Sequence, residues 1–296
     1  MKWLNQKYLS RMEMIIILIN WKEIAQEIKD SIKNEISVKC INKRKPILFV
    51  IQVGENEASN SYIKGKKKDC EEVGIVCKPV HLRNSITERD LINIIQNVIA
   101  LEECDGIIVQ LPLPSHIDKS HIINVIPKEK DVDGFRKDSD FIPCTPAGIM
   151  KVLDKFDIAG KDCLIINRSD IVGRPLVNLL LDKDATVTIA HSKTKDLHTK
   201  IKNADIIITA VGIPNFITTN MISNDKIFVD VSINRNEDNK LCGDISKETY
   251  NYLYRNSYIT PVPNGIGLLT RAMLLQNTFD SYMKGVENKW MIYGWV

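Results

Sequence analysis

Apolar residues recur every four positions at Ile24, Ile28, Ile32 and Ile36, which predicts a helix over 21–38. Pro46 then opens a short, mostly apolar segment that reads as a strand over 47–53. Helical spacing returns over about 58–73, and Gly74 supplies the left-handed stop that helix ends favour. A strand over 75–82, a helix opened by Thr87 and reaching about 101, and a strand over 105–111 follow. This alternation is that of a parallel sheet covered on both faces. Ahead of it lies Met14-Ile15-Ile16-Ile17-Leu18-Ile19, which is too short to span a membrane. No small-residue cleavage site follows, so a buried first strand is expected there, with 1–13 as an extension.

After Pro143-Cys144-Thr145-Pro146 the pattern restarts. A helix follows Pro146, then a strand over 162–166, a turn over 167–172 and a helix over 173–181. Further strands are expected over 185–190, 204–211, 227–231 and 259–262, and an amphipathic helix near 270–283 closes the series. The expected class is α/β, with two αβ domains flanking a cleft. The second is Rossmann-like, and the C-terminal helix returns to the first. The first domain takes 14–145 plus 270–296, the second 146–269. No internal repeat, low-complexity tract or Gly/Ser linker interrupts them.

A length of 296 residues suits two domains, and 44% hydrophobic with 26% charged residues is ordinary for a soluble globular chain. A net charge of +3 is too small to argue for nucleic acid, and no segment calls for a membrane partner. The seven cysteines, an odd and scattered set, form no CxxC and no zinc spacing. They read as reduced thiols in a cytoplasmic protein without a metal site.

Candidate chemistry gathers in the first half. Tyr62 and Lys66 are four apart and share one helix face. A phenol beside an ammonium can relay protons if burial lowers the lysine pKa. The plainer reading is a solvated face within the basic run 64–68. Two further residues weigh against it. Gln110 ends the apolar run 107–109, where open α/β sheets place ligands, and Asp133 sits in the loop Lys130-Asp131-Val132-Asp133-Gly134.

In the second half, the turn Asn167-Arg168-Ser169-Asp170-Ile171-Val172-Gly173-Arg174-Pro175 lies between a buried strand and a helix. Backbone N–H groups at such a helix start suit a pyrophosphate. The turn is not a clean GxGxxG: Asn167 takes the first glycine position, where its tolerance of left-handed backbone is expected to preserve the turn. The next strand ends in His191-Ser192-Lys193-Thr194, where an NAD enzyme would carry an acid. Hydroxyl, cation and Arg168 suit the 2′-phosphate of NADP instead. Gly212, after the third strand of this half, reads as part of a loop closing over the cofactor.

At these residues the chain resembles the bifunctional methylenetetrahydrofolate dehydrogenase/methenyltetrahydrofolate cyclohydrolase family. The resemblance is carried by Ala58-Ser59-Asn60-Ser61-Tyr62 with Lys66, Asp105-Gly106-Ile107-Ile108-Val109-Gln110-Leu111-Pro112-Leu113-Pro114, Lys130-Asp131-Val132-Asp133-Gly134-Phe135, Ile171-Val172-Gly173-Arg174-Pro175 and Thr260-Pro261-Val262-Pro263, in the family's order. It implies oxidation of 5,10-methylenetetrahydrofolate with NADP, then hydrolysis of the methenyl product to 10-formyltetrahydrofolate. It also implies Lys66 as the main catalytic group, aided by Tyr62 and Gln110, with Asp133 anchoring the pterin and Tyr62, Gln110, Pro263 and Gly265 at the substrate. Asn167, Arg168, Ser169, Val172, Gly173, Arg174, His191, Ser192, Gly212 and Ile233 would meet the cofactor. The partners it implies are tetrahydrofolate one-carbon derivatives and a second copy, as a homodimer.

Departures from the family pattern fall at Asn167, Ser232 and Asn264, where it has glycine, and in a shortened 136–142 loop. Two other readings compete. A short-chain-type NADP dehydrogenase also uses a Tyr-x-x-x-Lys pair, but its cofactor glycines precede that pair, and it leaves Gln110 and Asp133 unexplained. A non-catalytic nucleotide-binding remnant would account for the altered glycines but not for the intact Tyr62, Lys66, Gln110 and Asp133.

Overall fold

The computed structural model describes residues 21–293, in two compact units. One comprises 26–144 and the chain from Arg271 onward, the other 21–25 and 145–270. The expected first strand over 14–19 and the extension over 1–13 lie outside the described residues. The first turn of helix α1 (Trp21–Lys39) groups with the second unit, whereas the sequence reading assigned all of it to the first.

The first unit is built on a parallel sheet in the order β2-β1-β3, with β1 at Ile47–Val53, β2 at Val76–Leu82 and β3 at Gly106–Val109. Every residue of β1 is buried, as a central parallel strand covered on both faces requires. Ile47, Phe49, Ile51 and Val53 point to one face and meet Leu91, Ile95 and Val98. Those three recur at helical spacing on α3 (Glu88–Ile99), which follows α2 (Glu57–Val73). Burying each such side chain stabilises the unit by about 1.5–3 kcal/mol. Thr87 caps α3 by accepting a hydrogen bond from the Asp90 N–H at 3.1 Å. A short helix, α4 (Lys119–Val125), capped by Asp118, was not evident in the sequence because it has too few turns to show a period.

In the second unit, α5 (Cys144–Leu153) leads into five parallel strands in the order β10-β7-β6-β4-β5. These are β4 (Asp162–Ile166), β5 (Thr186–Ala190), β6 (Ile206–Thr209), β7 (Ile227–Asp230) and β10 (Tyr258–Ile259). Helices α6 (Gly173–Leu181), α7 (Leu197–Asn203) and α8 (Lys247–Asn256) complete the winding, and Asn234–Arg235 pairs with Leu241–Cys242 as a small hairpin, β8 and β9. Strand order reverses about β4, the place where doubly wound sheets open a ligand crevice at their carboxyl ends.

The last helix, α9 (Ile266–Tyr293), starts four residues before the position expected from hydrophobic spacing. From Arg271 on it packs on the first unit. Asn277 Nδ2 donates to Val132 O at 2.9 Å, Ser281 Oγ to Asp105 O at 2.6 Å, and the Tyr282 hydroxyl to Arg44 O at 2.9 Å. No helix among the described residues is long and apolar enough to cross a membrane.

Candidate active site

Helix α2 starts at Asn56, whose side chain accepts from Ser59 N at 3.0 Å, and stops at Gly74 in left-handed backbone (φ 91°). Between these caps, Tyr62, Lys66 and Asp69 fall on one face, which is turned inward. Lys66 is 5% exposed, while Lys64, Lys67 and Lys68 around it are exposed. The solvated-face reading therefore fails for Lys66 and holds for its neighbours.

Lys66 Nζ donates to Gln110 Oε1 at 3.1 Å and lies 5.0 Å from the centroid of the Tyr62 ring. Gln110 is fixed from both sides: its backbone N–H donates to Ile51 O at 2.8 Å and its Nε2 to Leu111 O at 2.8 Å. Its carbonyl oxygen is thereby left for the ammonium. Asp133 is half-buried on the loop after α4. Desolvation pushes its carboxyl up; the Lys66 ammonium opposes this and the Asp131 charge adds to it. Burial also pushes the Tyr62 phenol well up, with the Asp133 charge adding and Arg271 opposing, so Tyr62 stays a neutral hydrogen-bond donor. Gly134 follows in left-handed backbone (φ 72°), where an added Cβ would collide with Pro143.

The second unit carries a pocket of about 470 Å³ at the carboxyl ends of β4, β5 and β6, lined by Asn167, Arg168, Ser169, His191, Ser192 and Thr194 among others. Asn167 does not adopt positive φ, contrary to the expectation that its backbone tolerance preserves the turn. Its side chain does so instead. Oδ1 accepts from Ser169 N at 2.7 Å and Gly173 N at 3.1 Å, and Nδ2 donates to Ala210 O. Gly173 closes the turn, since a Cβ there would lie 2.6 Å from the Asn167 carbonyl carbon. At the next strand end, His191 N donates to Thr194 Oγ1 at 2.8 Å and Lys193 N to His191 Nδ1 at 3.1 Å. No carboxylate lines this pocket, so its chemistry fits a dinucleotide bearing a 2′-phosphate, with Arg168, Ser192 and Thr194 among the lining residues that could hold it.

Other candidates stand apart from that lining. Arg174 pairs with Asp170 at 3.3 Å on the exposed side of the turn. Val172 precedes α6 and serves its start. Gly212 (φ 77°) sits between the pocket residues Val211 and Ile213, and Ile233 is 51% exposed near Gly267. Pro263 is exposed, whereas Gly265 is buried against Pro261 O, and Asn264 between them takes left-handed backbone (φ 74°). Asparagine is one of the few non-glycine residues that accept that conformation readily.

Sequence reasoning missed Asp244. It is fully buried and accepts from Val211 N at 2.7 Å, Gly212 N at 3.0 Å, Ile213 N at 3.1 Å, Thr209 Oγ1 at 2.8 Å, Ser232 Oγ at 2.8 Å and Asn234 Nδ2 at 3.0 Å. It shapes the loop after β6, and Ser232 is part of that network. The only trace in sequence is an acid among apolar neighbours in Gly243-Asp244-Ile245, which implies donors without naming them.

One unit with a dinucleotide-type sheet and another carrying a lysine–glutamine pair make up the composition of a two-domain α/β oxidoreductase. The family model for the tetrahydrofolate dehydrogenase/cyclohydrolase catalytic domain matches residues 19–133, and that for the NAD(P)-binding domain matches 143–286. The bifunctional protein FolD of Campylobacter hominis is 45% identical over 275 residues, covering 89% of this chain and 96% of the relative. Among solved structures, the bifunctional FolD methylenetetrahydrofolate dehydrogenase/cyclohydrolase of Campylobacter jejuni is 41% identical with a TM-score of 0.83, covering 89% of this chain and 97% of that one. The Trypanosoma brucei methylenetetrahydrofolate dehydrogenase-cyclohydrolase, solved with NADP and an inhibitor, is 29% identical with a TM-score of 0.84, over 90% and 97%. The chain belongs to the tetrahydrofolate dehydrogenase/cyclohydrolase family.

Proposed function

We propose that Lys66, Tyr62 and Gln110 carry the folate chemistry and that Asp133 anchors the substrate. The chain is an enzyme of one-carbon metabolism: it oxidises 5,10-methylenetetrahydrofolate with NADP and hydrolyses the methenyl product to 10-formyltetrahydrofolate. The observation that carries the assignment of residues is the hydrogen bond from the buried Lys66 Nζ to Gln110 Oε1 beside the Tyr62 ring.

NADP, when bound, accepts the hydride from the methylene carbon. The chain's own groups orient and move protons. Gln110 holds the Lys66 ammonium by a fixed acceptor, so its remaining protons and the neutral Tyr62 hydroxyl are available to the reacting folate. Hydrolysis needs proton transfers around an attacking water and the ring nitrogen that leaves, and Lys66 is the group placed to supply them. Asp133, a carboxylate acceptor in partly desolvated surroundings, suits the paired N–H donors of an amino-pyrimidine edge. In the second unit, Asn167, Ser169 and Gly173 shape the turn for the pyrophosphate, and Arg168 with Ser192 takes the 2′-phosphate.

The unit containing 26–144 is read as the folate-binding catalytic domain and 146–269 as the NADP-binding domain. The enzyme is read as a cytoplasmic homodimer, the location in keeping with its seven free thiols. A coupled assay on purified protein, following NADPH formation and methenyl-folate decay, tests the reading. Loss of the decay step in Lys66→Met with retained fold supports the assignment, and its persistence refutes it.

A further inference from the structure

A second cation lies against the Tyr62–Lys66 face of α2. Arg271, near the start of α9, places Nε 2.7 Å from Asp69 Oδ2, with side chains 22% and 11% exposed. Asp69 follows Tyr62 by seven residues and Lys66 by three, so the three form one stripe. Between them stands Gly65, in ordinary helical backbone with no conformational need for glycine. The guanidinium occupies the space its side chain would fill: a Cβ at residue 65 would overlap Arg271 Nη1 and come within 3.2 Å of Cζ. On the other side of Asp69, Lys29 Nζ stands 3.9 Å from Oδ1 and bonds Glu72 at 2.8 Å.

Stability alone does not favour this arrangement. Glycine in a helix interior costs about 1 kcal/mol relative to alanine. A largely buried ion pair is often no more stabilising than apolar side chains of similar volume. Both costs fall on the one helical face that carries Tyr62 and Lys66, and the Arg271 charge acts directly on the Tyr62 phenol.

We propose that Arg271 is a positioning residue for the folate chemistry, threaded into the notch at Gly65 and ion-paired with Asp69 so that its guanidinium fixes the Tyr62–Lys66 face of α2 and keeps a permanent positive charge beside it. The inference rests on the assignment of Tyr62 and Lys66 above.

The test is the full-length Gly65→Ala/Arg271→Leu variant, in which alanine fills the notch and leucine replaces the cation. It is expected to fold with a lowered melting temperature, since the Asp69 carboxylate loses its guanidinium partner. Cyclohydrolase kcat should fall roughly ten- to hundred-fold, as for a small misplacement of a reacting group. KM for the folate should stay within about twofold, the split expected when ground-state binding is untouched. The acid limb of the kcat–pH profile should move up by about half to one pH unit, because a charge favouring deprotonation has gone. Arg271→Lys should restore the profile's position while recovering only part of kcat, since an ammonium lacks the planar fork. Wild-type kcat and pH profile in the folded double variant would overturn the proposal, as would a raised KM with kcat unchanged. Should the double variant not fold, Asp69→Asn, which frees the guanidinium from its carboxylate, should lower kcat by a similar factor with KM within about twofold, while the acid limb moves down rather than up because a negative charge has gone; wild-type kcat there would overturn the proposal. Lys66→Met separates the two levels: full activity there overturns the site assignment, whereas a defect there with none at Arg271 overturns only this inference.

Discussion

Lys66 and Gln110 are 44 residues apart in the chain and 3.1 Å apart in the fold, joined by one partly buried hydrogen bond between a helix and a strand end. Helix α2 gives Lys66 its direction, and the β1–β3 register places Gln110 beside Ile51. Lys66→Met removes the proton-transfer group while keeping the apolar stem, and cyclohydrolase activity should fall by roughly 10²–10⁴-fold. Lys67 and Lys68, both exposed, should tolerate the same change with little loss. Parallel measurement of methenyl-folate decay and circular dichroism checks this; equal losses at all three positions would point to charge or folding instead.

Asp133→Ala should weaken folate binding much more than cofactor binding. Each charge-assisted hydrogen bond lost costs about 1.5–3 kcal/mol, or roughly ten- to hundred-fold in affinity. Calorimetric titration with a folate and with NADP measures both. Unchanged folate affinity would remove Asp133 from the substrate site.

Much of this architecture was legible because α/β chains write it in periods. The isoleucines of α1 and the apolar run 47–51 of β1 gave their elements within a residue or so. Tyr62, Lys66, Gln110 and Asp133 were legible as candidates because a shared helix face and strand ends are local features. The groups that hold the site in place were not. Asp244 collects donors from the loop after β6 and from the β7–β8 connection, and Arg271 reaches Asp69 from more than two hundred positions away. Gly65 looked like a weak helix residue until the guanidinium filling its space was seen. Asn167 misled for a related reason: its side chain, not its backbone, holds the turn.

Asp230 predicts a pH dependence of stability. Burial pushes its carboxyl up to about 7, against the bonds it accepts from Ile245 N and Asp244 N. Gly243 must be glycine beside it, because a Cβ would overlap Asp230 Oδ2. The folded-state value exceeds the unfolded one, so the folded protein holds this proton more tightly. The contribution is complete below about pH 4 and is lost as pH rises to about 7, amounting to as much as about 4 kcal/mol for three units. Asp131 and Asp133 are shifted in the same direction, so Asp230→Asn should flatten only part of the slope. Urea unfolding at intervals from pH 4 to 8 measures it; an unchanged slope in the variant would place the titration elsewhere.

The choice of NADP should rest on Arg168. It is exposed at the pocket mouth, no acid pairs with it among the described residues, and its neighbour Arg174 is taken by Asp170. The opposing strand end offers Ser192 and Thr194, with no carboxylate to bind a free ribose hydroxyl or repel a phosphate. A guanidinium–phosphate contact contributes roughly 1.5–3 kcal/mol, so Arg168→Ala should cut kcat/KM for NADP by about ten- to hundred-fold. With NAD, which lacks the phosphate, the same variant should change little, and the preference should narrow by the same factor. Raising salt should mimic part of the effect for NADP only, since the contact is exposed and screened. Comparing kcat/KM for both cofactors in wild type and variant decides the matter. Equal losses with NAD and NADP would mean that Arg168 shapes the turn over 167–173 rather than reading the 2′-phosphate.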